Sequence, residues 1–216
     1  MHRRHFSQAL IGSVGALALS QQTARAQQAP YQEGIEYVTL DKRVPTEAAK
    51  GKIEVIEFFW YSCPHCNAFE PRFGDWLRKL PKDVEVKRVP VRFRDDFEPQ
   101  QRMYYVLEAL DKVEALHGKL FQAIHVERLN LSSADALAQW AEKQGIPRAK
   151  FNEVYASFGI VSKARRATQL QESFKVQGVP ALGVAGRFYT DGSLAGSMER
   201  ALQIVDYLMG EVRKGR

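Results

Sequence analysis

The spacing of apolar residues along the first half of the chain predicts a strand, a helix and a second strand. Residues 53–60 form a dense run of β-forming residues, which is typical of a strand buried on both faces. A helix is predicted at residues 64–80, with a kink at Pro71, because a proline inside a helix removes one hydrogen bond. Residues 84–93 predict the next strand, completing a right-handed βαβ unit, and residues 37–40 are a candidate edge strand.

A long stretch with helical spacing follows, and it predicts a block of four helices. Ser132 or Ser133 caps the third of them, and Pro147 stands near the first turn of the fourth. The four helices are expected at residues 99–116, 119–128, 133–144 and 147–157.

The last part of the chain returns to a mixture of helices and strands. A helix at residues 160–176 leads to a strand that Pro180 opens. The hairpin partner of that strand is expected at residues 187–190, followed by the turn residues Asp191-Gly192. A last amphipathic helix is predicted at residues 198–212.

This order of elements predicts an α/β fold that is interrupted by an all-helical insertion. Without the helical block, the chain reads strand, helix, strand, helix, strand, strand, helix, which is a compact layered arrangement. We therefore place the α/β domain at residues 27–94 and 159–216, and the inserted helical domain at residues 95–158.

The first 26 residues are typical of a bacterial export signal. Arg3 and Arg4 precede an apolar stretch at residues 9–19, and the small-residue site Ala24-Arg25-Ala26 follows, so cleavage is expected after residue 26. The paired arginines leave twin-arginine (Tat) export open beside the general secretory (Sec) route. An uncleaved anchor is a weaker alternative, since the apolar stretch is too short to span a bilayer. The sequence thus predicts a protein of the oxidising periplasm.

Composition narrows the possible functions further. With 216 residues, 45% of them hydrophobic, the chain can bury a core without disulfides or metals. Cleavage after residue 26 lowers the formal charge from +6 to +3, and no basic cluster with interleaved aromatics supports nucleic-acid binding. A phosphate-binding glycine loop, a nucleophile elbow and an HExxH motif are all missing from the sequence, so hydrolase and nucleotide chemistry have no support.

Both cysteines of the chain lie in Cys63-Pro64-His65-Cys66, where the buried strand ends and the helix begins. A disulfide that closes so short a loop removes little entropy from the unfolded chain, so stability is a poor explanation for the pair. At the helix start, a thiolate at Cys63 faces free backbone N–H groups and the positive end of the helix dipole, and His65 adds to their effect. A stabilised thiolate makes the disulfide a stronger oxidant, which predicts a pair that oxidises other proteins.

Other interpretations of the pair remain open beside the redox one. A structural disulfide is disfavoured by its loop length, and His65 could be an ordinary exposed histidine. Zinc needs four ligands, whereas only two cysteines exist, and His117 and His125 lie far from them in sequence. A Cu(I) carrier would use Cys63 and Cys66, with or without His65, because soft thiolates suit that ion.

Glu57 is a carboxylate on an otherwise apolar strand face, which it shares with Val55 and Phe59. Burial should raise its pKa, and its position six residues before Cys63 suggests a proton relay for Cys66. The alternatives are a surface position or a plain ion pair with Lys87 on the next strand, whose structural role is open.

Taken in order, Phe58-Phe59, Cys63-Pro64-His65-Cys66, the helical insertion and Gly178-Val179-Pro180 resemble the periplasmic DsbA-type thiol:disulfide oxidoreductases. The resemblance implies a thioredoxin fold with an inserted helical domain and a cis peptide before Pro180. It also implies that Cys63 is the reactive thiolate with a depressed pKa, Cys66 its buried partner, and Glu57 the acid beneath the site.

The resemblance further implies the partners of the protein. Reduced exported proteins are the expected clients, and a DsbB-like, quinone-linked membrane oxidase is the expected electron acceptor. Clients would lie extended against Val179, with their side chains around Trp60, Tyr61 and Pro180. No cofactor or metal is expected beyond the cysteine pair, and a monomer is expected. The residues Trp60-Tyr61-Ser62 and Gly183 differ from some family members and leave the shape of the groove open.

The nearest alternative function is a periplasmic disulfide isomerase or reductase. Such proteins usually need a dimerisation module, and residues 27–50 are too few to form one.

Overall fold

The computed structural model describes residues 30–215, so the predicted export signal at residues 1–26 lies outside the described residues. Its strands are β1 Val38–Thr39, β2 Ile53–Phe59, β3 Val84–Pro90, β4 Ala181–Val184 and β5 Phe188–Asp191. Its α-helices are α1 Pro64–Leu77, α2 Glu98–Ala109, α3 Val113–His125, α4 Ala134–Lys143, α5 Arg148–Tyr155, α6 Phe158–Ser173, α7 Gly192–Ala195 and α8 Met198–Arg213. A single 3-10 turn, Asp95–Phe97, precedes α2.

A five-stranded mixed sheet in the order β1-β5-β4-β2-β3 organises these elements. β2 runs parallel to β3, as the predicted βαβ unit requires, and the other neighbouring strands are antiparallel. All seven residues of β2 are buried, which confirms the prediction of a strand covered on both faces. β1 lies at one edge of the sheet, as predicted from residues 37–40.

Up to Phe58, the apolar residues of β2 divide between two clusters according to the face on which they lie, as the period of a strand requires, whereas Phe59 joins the second cluster. Ile53 and Val55 belong to a cluster that contains residues of α1 and α8. Ile56 and Phe58 belong to a second cluster, which contains Phe174 and much of the helical insertion. The insertion therefore shares its core with the sheet.

The insertion packs closely on the end of β2, where the chain passes into α1. The ring of Phe59, the last residue of β2, lies 5.4 Å from the ring of Tyr104 in α2 and 6.1 Å from that of Phe121 in α3. Helices α2 and α3 thereby lie against the strand end from which the cysteine motif follows.

The predicted break between the first two helices of the insertion is wrong. We expected it at residues 117–118, but Gly118 lies inside α3 and the break falls at residues 110–112. There Asp111 has a φ of 54°, and the N–H of Lys112 donates to the carbonyl of Leu107 at 2.7 Å. This is the hydrogen bond of a left-handed helix end, formed here around an aspartate in place of the usual glycine.

Smaller boundary differences also have local causes. Asp191 is not a free turn residue, because its Oδ1 accepts the N–H groups of Ser193 and Leu194 at 2.9 Å each and so caps α7. Ser133 caps α4 as predicted, accepting the N–H of Ala136 at 3.2 Å. Pro71 lies inside α1, as expected.

The division into domains at residues 27–94, 95–158 and 159–216 stays a prediction. Within residues 30–215, no helix has both the length and the apolar character needed to cross a membrane.

Candidate active site

The cysteine motif begins α1, and Cys63 is its N-cap, as predicted. Its backbone is extended, with φ −82° and ψ 117°, and its Sγ accepts the N–H of Cys66 at 3.4 Å. Pro64 occupies the first helical position, where its missing N–H costs nothing. The sulfur of Cys63 therefore takes up a backbone N–H group that has no partner within the helix.

The surroundings of Cys63 favour its thiolate. Together they lower the pKa of Cys63 from 9.0 to about 6, with the hydrogen bond from the Cys66 thiol as the largest contribution and burial opposing it. The backbone N–H groups of Cys66 and His65 and the charge of the exposed His65 supply the smaller remaining contributions. The direct hydrogen bonds thus matter more than the helix dipole alone, which contributes at most about 2 kcal/mol.

Cys66 has the opposite character. It is fully buried, whereas Cys63 keeps 7% of its surface exposed. Burial, and then the hydrogen bond and charge of Cys63, raise the pKa of Cys66 far above its ordinary value. The two thiols are not bonded to each other in this structure. The pair therefore consists of one ionised sulfur near the surface and one protonated sulfur beneath it.

The loop before β4 closes one side of this pair. The peptide bond between Val179 and Pro180 is cis, as the family resemblance implies. Sγ of Cys63 lies 3.3 Å from the carbonyl oxygen of Val179, a contact that is a hydrogen bond only while this thiol carries its proton. A groove of about 420 Å³ adjoins this contact, and its lining consists of His65, 178–180, 191–193 and 196–198. Val179 thus lies beside the reactive sulfur, and the roles of Val179 and Pro180 in binding clients stay predictions.

Tyr61 does not belong to the groove, and this sequence prediction is wrong. Its side chain is fully buried, and its hydroxyl lies 2.9 Å from Nδ1 of His117. Trp60 is half-buried and stacks on Phe97, with 3.8 Å between ring centroids. Neither is among the described residues that line the groove. Both aromatic rings pack against the insertion, where apolar partners are available.

Gly183 likewise faces the core and not the groove. A Cβ atom at this position would overlap the ring of Phe174, so the glycine allows α6 and β4 to approach closely.

Glu57 is fully buried, as its position on the strand predicted. Its Oε2 accepts a hydrogen bond from Nη1 of Arg88 at 2.8 Å, while Oε1 has no hydrogen-bond partner among residues 30–215. Burial raises the pKa of Glu57 to about 8, against the opposing charge of Arg88 and with a further increase from Glu70. This carboxyl group therefore holds a proton at neutral pH.

The predicted ion-pair alternative named the wrong partner. Glu57 lies directly beside Arg88 in the parallel register of β2 and β3, whereas Lys87 lies beside Ile56. Since adjacent residues of a strand point to opposite faces, Lys87 cannot reach Glu57. Its ammonium group instead lies 2.5 Å from Glu47.

Arg88 is the centre of a buried polar network that the sequence analysis missed. Its Nη1 lies 2.6 Å from Oε1 of Glu70 and 2.7 Å from Nε2 of His117, in addition to the contact with Glu57. This nitrogen carries two hydrogens, so its three acceptors compete for them. One guanidinium thus compensates the buried carboxyl group of Glu57 and the partly buried one of Glu70, and Glu57 is the one that stays protonated.

His117 and Glu70 complete the network. Burial lowers the pKa of His117, so its ring is neutral and Nε2 accepts from Arg88. Burial raises the pKa of Glu70, but its contacts with the ring of His117 and with the charged guanidinium of Arg88 outweigh this effect and hold that pKa below its usual range. Glu70 follows Cys66 by four residues on α1, a spacing that places both on one helix face and could have identified it.

Comparison with known proteins agrees with this geometry. A family model described as a DSBA-like thioredoxin domain matches residues 54–203. The thiol:disulfide interchange protein DsbA of Bordetella parapertussis is 42% identical over 202 residues, which cover 93% of this chain and 96% of that protein. The DsbA of Pseudomonas aeruginosa is 38% identical over 188 residues, covering 87% of this chain and 89% of that protein.

Solved structures show the same fold. A crystal structure of Pseudomonas aeruginosa DsbA matches with a TM-score of 0.81 at 37% identity, covering 86% of this chain and 96% of that one. The oxidoreductase DsbA from Xylella fastidiosa matches with a TM-score of 0.77 at 27% identity, covering 83% and 96%. The predicted thioredoxin fold with a helical insertion is thereby confirmed. The chain belongs to the family of DSBA-like thioredoxin-domain proteins.

Proposed function

We propose that this protein is a dithiol oxidase that donates the Cys63–Cys66 disulfide to reduced, newly exported proteins. The observation that carries the proposal is the contrast between the two thiols. Cys63 ionises readily at the start of α1, whereas Cys66 stays protonated beneath it. Because the reduced pair is stabilised as one thiolate and one thiol, its disulfide tends to accept electrons. The relatives named thiol:disulfide interchange proteins support this direction of electron transfer.

The reaction proceeds by two thiol–disulfide exchanges. A client thiolate attacks Sγ of Cys63, the Cys63–Cys66 bond breaks, and its electron pair leaves on Cys66, which takes up a proton. A second client thiolate then attacks the client sulfur of the mixed disulfide and expels Cys63 as a thiolate. The client is oxidised by two electrons, and the cysteine pair is reduced by two. Because Cys63 has a pKa of about 6, it is a good leaving group at neutral pH.

Glu57 supplies the proton that Cys66 needs in the first step. Its pKa of about 8 keeps it protonated at neutral pH, and once it is ionised its charge raises the pKa of the Cys66 thiol. When the carboxyl group gives up its proton, Arg88 is already within 2.8 Å to stabilise the carboxylate. Glu57 then recovers a proton from solvent before the next cycle.

The groove beside Val179 is the proposed client site. An extended client segment would pair with the backbone of Val179 and place its cysteine over Cys63. The exposed His65 lies at the edge of the same groove. The protein acts in the periplasm as a monomer, after Sec or Tat export directed by residues 1–26, and needs no cofactor beyond its cysteine pair. A DsbB-like, quinone-linked membrane oxidase restores its disulfide.

The order of the two exchanges is tested by trapping the mixed disulfide. Cys66→Ala is first treated with oxidised glutathione, so that Cys63 carries a mixed disulfide with glutathione. A client thiolate can then attack Sγ of Cys63 and expel glutathione, and the sulfur that would otherwise resolve the complex internally is missing. We expect this variant to accumulate clients in disulfide linkage, visible on non-reducing gels and lost on reduction. The matched variant Cys63→Ala should trap none. Equal trapping by both variants would contradict the assignment of Cys63 as the attacked sulfur.

The role of Glu57 is tested by Glu57→Gln, which keeps an oxygen for Arg88 but removes the titrating proton. General acid catalysis typically contributes about 10²-fold or more, so client oxidation at pH 7 should slow by about that factor. Above pH 8 the native carboxyl is itself deprotonated, and the two rates should converge. Lys87→Gln, a change in the neighbouring exposed pair, is the control. A rate ratio that stays constant from pH 6 to pH 9 would disprove the relay.

The depressed pKa of Cys63 makes the stability of the reduced form depend on pH. Because the folded-state pKa lies below the ordinary value, its stabilisation is fully present above about pH 9 and is lost as pH falls through about 6. As pH rises between these values, the free energy of unfolding of the reduced protein should increase relative to that of the oxidised protein by at most about 1.4 kcal/mol per pH unit. Cys66 contributes little below about pH 8, since its thiol is then protonated both folded and unfolded, whereas nearer pH 9 it ionises only in the unfolded chain and offsets part of the gain. Denaturant unfolding of both forms measures the difference, and a pH-independent difference would refute it.

A further inference from the structure

The turn that precedes the cysteine motif is held from outside by the helical insertion. The N–H of Cys63 closes this turn by donating to the carbonyl of Trp60 at 3.1 Å. At its centre, the N–H of Ser62 donates to Oε1 of Gln100 at 3.1 Å. Nε2 of Gln100 in turn donates to Oγ of Ser62 at 2.7 Å. One amide side chain from α2 therefore holds both the backbone and the hydroxyl of the residue next to Cys63.

Gln100 is built into the structure and not merely adjacent to the turn. Its side chain is buried, with 3% of its surface exposed. Its second N–H group donates to the carbonyl of Leu131 at 3.1 Å, in the loop before α4. Both N–H groups and the oxygen of the amide are thus in use. Replacing such a group leaves several buried polar atoms without partners.

A second contact from the insertion holds the same turn. Nε2 of His125, at the end of α3, donates to the carbonyl of Tyr61 at 2.8 Å. A carbonyl oxygen only accepts, so the proton must lie on Nε2 of the histidine. Residues 61 and 62 are consequently fixed from α2 and α3 at once, immediately before the reactive sulfur.

We propose that Gln100 is a positioning residue for the redox reaction, which holds the turn ahead of Cys63 so that its sulfur meets the thiol and the N–H of Cys66. The contact between Sγ of Cys63 and the N–H of Cys66 is 3.4 Å long. Hydrogen bonds weaken steeply as their geometry degrades, so a small displacement of the turn removes much of the stabilisation of the thiolate. This inference rests on the proposed oxidase function and extends it to the helical insertion, which positions the sulfur of Cys63 relative to Cys66.

The test is the ionisation of Cys63 in Gln100→Met. Methionine has nearly the volume of glutamine but makes none of the three hydrogen bonds. We expect the midpoint of Cys63 ionisation in the folded, reduced variant to rise by about one pH unit, a tenfold loss of thiolate at lower pH. The ultraviolet absorbance of the thiolate gives the midpoint, and the rate of alkylation at pH 6 should fall by the same factor.

Gln101→Met is the matched control. Gln101 is the next residue of α2, is 1% exposed, and donates from Nε2 to the carbonyl of Pro90 at 3.0 Å and to Thr168 at 3.2 Å. The substitution Gln101→Met therefore removes a buried amide from the same helix without removing any contact to the turn. We expect its ionisation midpoint to equal that of the unmodified protein.

An unchanged midpoint in Gln100→Met, or an equal rise in both variants, overturns the inference. If Gln100→Met does not fold, Ser62→Ala removes one of the three bonds and should give a smaller rise, and no rise there overturns it as well. An unmodified protein whose Cys63 ionises like free cysteine would count against the oxidase function instead. The difference between the Gln100 and Gln101 variants bears on Gln100 alone, so the two failures are distinct.

Discussion

The hydrogen bonds that the sulfur of Cys63 receives at the start of α1 are the interaction on which the rest of the site depends. The Cys66 thiol and the N–H groups of Cys66 and His65 stabilise a negative charge on this sulfur more than burial disfavours it. A sulfur that shares a bond with Cys66 carries no such charge and gains less from these donors. The reduced state is therefore favoured, and the disulfide draws electrons from other thiols.

The surrounding fold positions the groups that stabilise the thiolate of Cys63 and the proton of Glu57. β2 ends and α1 begins without a long connection, so that Cys63 caps a helix whose first turn is fixed by Pro64. Beneath the pair, Arg88 compensates two carboxyl groups with a single charge, and this leaves Glu57 with a proton to give. Removing charges from water is costly, and the hydrogen bonds from Arg88 to both carboxyl groups offset part of that cost. The helical insertion contributes His117 to this network and Gln100 to the turn above it.

Much of this arrangement is local in sequence, and that part could be predicted. The strand, the cap at Cys63 and the proline loop at residues 178–180 each follow from neighbouring residues and elementary geometry. The contacts with Arg88 and His117 depend on how β3 and α3 pack against β2, which no local pattern specifies. Tyr61 shows the same limit: an aromatic residue beside the motif suits a groove or a core equally well, and only packing against the insertion decides for the core.

The central claim, that charge on Cys63 drives the pair toward reduction, is tested most directly by equilibrating the protein with glutathione buffers. We expect the pair to be half-reduced at a glutathione ratio so oxidising that a thioredoxin, with a potential of about −270 mV, would remain fully oxidised. A measured potential close to that of thioredoxin would contradict the account, because the cysteine pair would then give electrons to its partners rather than take them.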